Sequence, residues 1–168
     1  MPSRPLPFLL LGGLFSGLFS ALASAQPLTL PTQKVLPLEV ATALAQHAIA
    51  ACAEAGYAVS ATVVDTSGVV RAQLRGDGAG PHTLESSRKK AYTAVSLGES
   101  TENLSQLVTR MPAAAGLRDM GTDILVLGGG LPLRVAQDKV GGIGVGGAPG
   151  GHLDQGCAQA AIDQVLSD

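Results

Sequence analysis

The sequence predicts an α+β fold in which a five-stranded antiparallel sheet is flanked by helices. Helical periodicity opens and closes the chain, and the strand-like runs between are joined by short turns. Parallel neighbours would need a long crossover that such turns cannot supply, so the strands are read as antiparallel. The expected order is helix, two strands, two helices, three strands, helix.

Ahead of this fold, Arg4 is followed by an apolar stretch from Leu6 to Leu22 and the small-residue site Ala23-Ser24-Ala25. That tripartite pattern reads as a secretory signal peptide over residues 1–25, cleaved after Ala25, which places the mature protein in the periplasm or outside the cell. A membrane anchor is the competing reading. Gly12, Gly13, Ser16 and Gly17 dilute the stretch and no basic stop-transfer cluster follows, so no membrane span is expected in the mature form. Residues 26–35 are read as a linker and 36–168 as one domain, a length able to bury a real core.

Leu38 to Ala55 carries Leu38, Ala41, Ala45, Ala48 and Cys52 on one helical stripe, and Gly56 ends it. Tyr57 to Val64 and Val69 to Arg75 form a hairpin about the turn Asp65-Thr66-Ser67-Gly68, and the second strand alternates apolar and polar residues. Gly76 to Pro81 is a loop. A helix from His82 or Thr83 to Leu97 and a shorter one from Thr101 to Arg110 follow, the latter stopped by Pro112. Asp123 to Leu127, Leu131 to Ala136 and Val140 to Val145 are read as strands, and Leu153 to Leu166 as the closing helix.

Phe8, Phe15 and Phe19 all lie in the leader, so Tyr57 and Tyr92 are the only aromatic residues of the mature chain. Its core must be built from Ala, Val, Leu and Ile. Eleven basic residues, one of them Arg4 in the leader, stand against thirteen acidic ones, and the single basic run is Arg88-Lys89-Lys90. This excludes a phosphate-neutralising surface with stacking platforms, hence a nucleic-acid partner. The run itself reads as a solvated helix face.

Cys52 falls near the end of the first helix and Cys157 near the start of the last. If those helices pack antiparallel the thiols come level, and export would allow a disulfide. Two small buried hydrophobes, or paired ligands, are the alternatives, because spacing alone does not supply bridge geometry.

Gly142-Ile143-Gly144-Val145-Gly146-Gly147 satisfies G-x-G-x-x-G, but the chain ends too soon for the strand-turn-helix unit and the later acidic residue of a dinucleotide site. It reads instead as a glycine-rich strand against which a helix packs closely. The loop Ala148-Pro149-Gly150-Gly151 before the last helix offers backbone N–H groups to an anion such as a carboxylate or propionate. At Gly80-Pro81-His82-Thr83 an imidazole stands at a loop-to-helix junction, where it could ligate a metal or haem iron, or where His82 or Thr83 could simply cap the helix. No nucleophile elbow, paired-His motif or paired carboxylates are present, so no catalytic mechanism can be assembled.

Taken in order, Val63-Val64-Asp65, Gly80-Pro81-His82-Thr83, Lys90-Ala91-Tyr92-Thr93-Ala94, Leu127-Gly128-Gly129-Gly130-Leu131-Pro132 and the run Gly141 to Gly151 resemble the GlcG/HbpS-like family, which includes the C-terminal domain of PduO proteins. The resemblance covers roughly Leu36 to Leu166. It implies a profilin-like fold, homo-oligomers, and haem as the cofactor of those members with an assigned role. His82 is then the expected iron ligand, with Thr83, Lys90, Tyr92, Gly150 and Gly151 as supports for a haem or a small acidic ligand.

The leading expectation is an exported, non-enzymatic haem-binding protein that captures or buffers haem and iron. The alternative is an accessory protein or enzyme acting on a small glycolate-like hydroxy acid, suggested by the metabolic company of some relatives. A scaffold without a ligand is the third reading.

Overall fold

The structure is a computed structural model and describes residues 28–166. The expected leader therefore lies outside the described residues. One compact unit begins at Gln33. It comprises α1 (Leu38–Glu54), β1 (Ser60–Asp65), β2 (Val70–Arg75), α2 (His82–Leu97), α3 (Thr101–Arg110), a 3₁₀ helix (Pro112–Asp119), β3 (Gly130–Val135), β4 (Asp138–Gly146) and α4 (Gly151–Val165). Among the described residues no helix is long and apolar enough to cross a membrane.

The sheet has four strands in the order β2-β1-β4-β3, all antiparallel. The fifth expected strand, Asp123 to Leu127, does not form. That segment is fixed by side chains of α2 instead: Leu125 N–H donates to Thr93 Oγ1 (2.8 Å) and Asp123 accepts from Arg88 (2.7 Å). Its apolar run satisfies a half-buried loop as well as a strand, a known ambiguity of short apolar stretches.

α1 and α4 cover one face of the sheet, where Ala41, Leu44, Ala45 and Ala48 meet Ala61, Val63, Ile143, Val145, Ala158 and Ala161. Leu38, placed on that stripe by periodicity, is exposed, and Leu44 takes the inward place. Cys52 and Cys157 join the two helices in a disulfide with Cα atoms 5.4 Å apart. Small side chains let the helices approach closely enough for that bridge.

α2 covers the other face, and the glycine-rich strand explains how. A Cβ added to Gly144 would lie 2.1 Å from Ser87 O, and one added to Gly142 would lie 2.7 Å from Ala91 O. The glycines of β4 thus form a floor on which the backbone of α2 rests. On neighbouring β1 the same face carries Ser60 and Thr62, bonded to Thr83 and Ser87 through hydroxyl pairs of 2.7 Å each. Helix and sheet are keyed together by backbone contact and buried hydroxyls, which suits a chain without large side chains.

Candidate functional site

The residues singled out from the sequence fall into separate environments around α2. His82 is the first residue of that helix and is exposed. Its ring lies over Gly80, where an added Cβ would meet Cε1 at 2.7 Å and Nδ1 at 2.9 Å. Neither His82 nor Thr83 caps the helix: the N-cap residue is Pro81, with no side-chain cap hydrogen bond. Thr83 is buried, and its hydroxyl donates to Gly80 O (2.6 Å) while pairing with Ser60. It ties the glycine loop to the sheet beneath His82 and leaves the imidazole outermost.

Lys90 is not part of a solvated face. Three successive helical residues span about 200° of the helix surface, so the run Arg88-Lys89-Lys90 must turn one member inward. Lys90 is that member, 2% exposed. Its Nζ donates to Asp154 Oδ2 (2.7 Å) and to Val145 O (2.9 Å). The ammonium reaches this place past Gly129, where a Cβ would stand 2.9 Å from Nζ. Lys90 is therefore engaged inside the protein rather than offered to an acidic ligand.

That ion pair organises the Gly150–Gly151 region. Asp154 Oδ1 accepts from Ala148 N–H (3.0 Å), so the carboxylate holds the loop, while the backbone N–H of the same residue donates to Gly150 O (3.2 Å) in the first turn of α4. Gly151 itself lies against Gly128, its added Cβ reaching within 2.7 Å of Gly128 Cα. The structure thus brings Lys90 and the Gly150–Gly151 turn together, through Asp154. Nothing local in the sequence marks Asp154, a carboxylate whose partner is 64 residues away.

Tyr92 lies ten residues beyond His82 on α2, about 15 Å along its axis, in a different local environment. Its ring packs against Gly68 at the β1–β2 turn and lines a cleft of about 380 Å³ with Leu97, Met120 and Ile124. Between these positions Arg88 bridges Glu85 (2.8 Å) and Asp123 (2.7 Å). The hydrogen bond from Arg88 holds the Glu85 carboxyl below its ordinary value, and the carboxylates raise the Arg88 guanidinium further above its own. Glu99, which accepts from Ser100 N–H and from Asn103, is likewise lowered. Among the described residues no three His, Cys, Asp or Glu side chains converge as a metal site.

Residues 36–163 match the family described as haem degrading protein HbpS-like. The chain belongs to the HbpS-like family. The crystal structure of HbpS is 40% identical to it with a TM-score of 0.76, covering 86% of this chain and 99% of that one. A crystal structure of PduOC in complex with haem is 27% identical, with a TM-score of 0.70 over 77% of this chain and 94% of that one. A 15.0 kDa protein from the dhaT-dhaS intergenic region of Citrobacter freundii is 30% identical, over 76% of this chain and 90% of the relative. The HbpS-like match spans every helix and strand from α1 to β4 and most of α4.

Proposed function

We propose that this chain is an exported haem-binding protein that captures or buffers haem outside the cytoplasm and assembles as a homo-oligomer. Membership of the HbpS-like family and likeness to a haem complex of PduOC support haem as the ligand. The observation that carries the reading to a residue is the exposed imidazole of His82, held over Gly80 at the start of α2. A neutral imidazole is a common ligand for haem iron, and the donor chemistry at this position fits the group. Haem would supply the redox-active iron; His82 would hold it, and the uncapped first turn of α2 offers N–H groups to an anionic propionate. Thr83 supports the loop below. Lys90 is left out of the ligand set because Asp154 and Val145 O already hold its ammonium.

The Cys52–Cys157 bridge supports export, since such bonds persist in oxidising compartments. The tripartite leader gives the same address. The hydroxy-acid alternative gains less from the geometry, because Lys90, the cation expected to receive a small acid, is buried.

Titration of purified protein with hemin tests the reading. The expected result is a saturable Soret shift that is stable in time and weakened at least tenfold in affinity by His82→Ala. No shift, or a shift equally produced by unfolded chain, overturns haem binding. Bleaching of the band during titration with a reductant present overturns the non-enzymatic role.

A further inference from the structure

A groove remote from His82 has the chemistry of a second ligand site. It holds about 350 Å³ between the segment leading into α1, the β3–β4 hairpin and the end of α4, with walls of Val35, Leu36, Val40, Val135, Val140 and Leu166. Leu36 is buried at its base, whereas Val35 is 75% exposed. Exposed apolar surface beside a concave apolar wall is a binding signature. The one charged group among the described lining residues is Lys34. None of those residues is a His, Tyr, Met or Cys.

We propose that this groove binds a small aliphatic carboxylic acid, its hydrocarbon chain against the valine and leucine walls and its carboxylate on Lys34. The Lys34 ammonium lies 3.0 Å from Asp138 Oδ2 in the free protein, with the two side chains 53% and 60% exposed. An exposed pair of this kind is weak and easily rearranged. The ammonium has three donors and can take a second carboxylate beside Asp138. A single cation at the mouth of an apolar trough selects an amphiphilic anion over a neutral alkane or a short, fully polar acid. The site is independent of the haem reading.

Calorimetric titration with hexanoate, octanoate and octanol tests the proposal. Saturable one-to-one binding of octanoate is expected, tighter by about fourfold for each methylene added from hexanoate. Lys34→Met should weaken octanoate several-fold and leave octanol unchanged. Asp138→Asn should tighten octanoate by removing the competing carboxylate. Both substitutions are at exposed positions, and matching thermal unfolding curves verify that the variants fold. Octanoate binding should survive His82→Ala, which separates this result from that of the hemin titration. The absence of saturable octanoate binding, affinity independent of chain length, or an unaltered affinity in Lys34→Met would overturn the proposal. So would a dimer seen by sedimentation that octanoate leaves intact and Val135→Asp dissociates, since the groove would then be covered by a second copy.

Discussion

The ammonium of Lys90 and the carboxylate of Asp154 meet at 2.7 Å with side chains 2% and 3% exposed, linking α2 to α4 at the end of β4. Both partners have further polar contacts, Lys90 with Val145 O and Asp154 with Ala148 N–H. The pair fixes the turn that starts α4, and it does so from inside the fold.

Breaking this pair from one side leaves a charge buried without its partner. Lys90→Met or Asp154→Asn is expected to destabilise the protein by about 3–5 kcal/mol in urea unfolding. A double variant, Lys90→Met with Asp154→Leu, should recover a large part of that loss. A loss in the double variant equal to the sum of the Lys90→Met and Asp154→Leu losses would show that the two residues are not coupled.

The glycine floor gives a sharper contrast. Gly144→Ala drives a methyl into Ser87 O and Ala91 N, both backbone atoms of α2, so the helix must lift. A loss of about 1–3 kcal/mol or more is expected from such overpacking. Gly116→Ala, with nothing within 4 Å of the added carbon, should leave the unfolding midpoint nearly unchanged.

The Cys52–Cys157 bridge spans a sequence separation of 105. Closing a loop of that length is worth up to about 4–5 kcal/mol of stability through the unfolded chain. Reduction, or the double substitution Cys52→Ser and Cys157→Ser, should lower the thermal midpoint accordingly. Thiol titration of the native protein should find no free cysteine, as both are bridged. Two free thiols in protein purified without reductant from an oxidising compartment would refute the bridge.

Acid weakens the surface network in a definite direction. Glu85 and Glu99 have folded-state pKa values below their ordinary value of 4.5, through Arg88 and through Ser100 N–H respectively. Their stabilising contribution is complete above that ordinary value and is lost as pH falls through the lower folded values. The thermal midpoint should therefore fall below about pH 4.5, with a shallower decline in Glu85→Gln, Glu99→Gln protein. The Arg88 part of the effect should shrink in high salt, because these groups are largely exposed. An unchanged acid limb in the double variant would place the effect elsewhere.

Much of the architecture is legible from local pattern. The bounds of α3 at Thr101 and Arg110, the hairpin turn at Asp65 to Gly68 and a start of α2 at His82 or Thr83 follow from glycines and prolines in the local sequence. The glycines of β4 read as a close-packing strand, and they lie under α2 as such. His82 stands out because a loop rich in glycine precedes it, and its exposure agrees with that position.

Long-range contacts decided the rest. Asp123 to Leu127 has the composition of a strand, yet Thr93 and Arg88 hold it against α2. Lys90 has the composition of a surface residue, yet helical rotation turns it inward and Asp154 makes that burial tolerable. Local spacing determines which residues are helical and which can turn, because those preferences act within a few bonds. Which charge is buried and which apolar run joins the sheet depend on partners brought together only by folding, and those partners leave no local mark in the sequence.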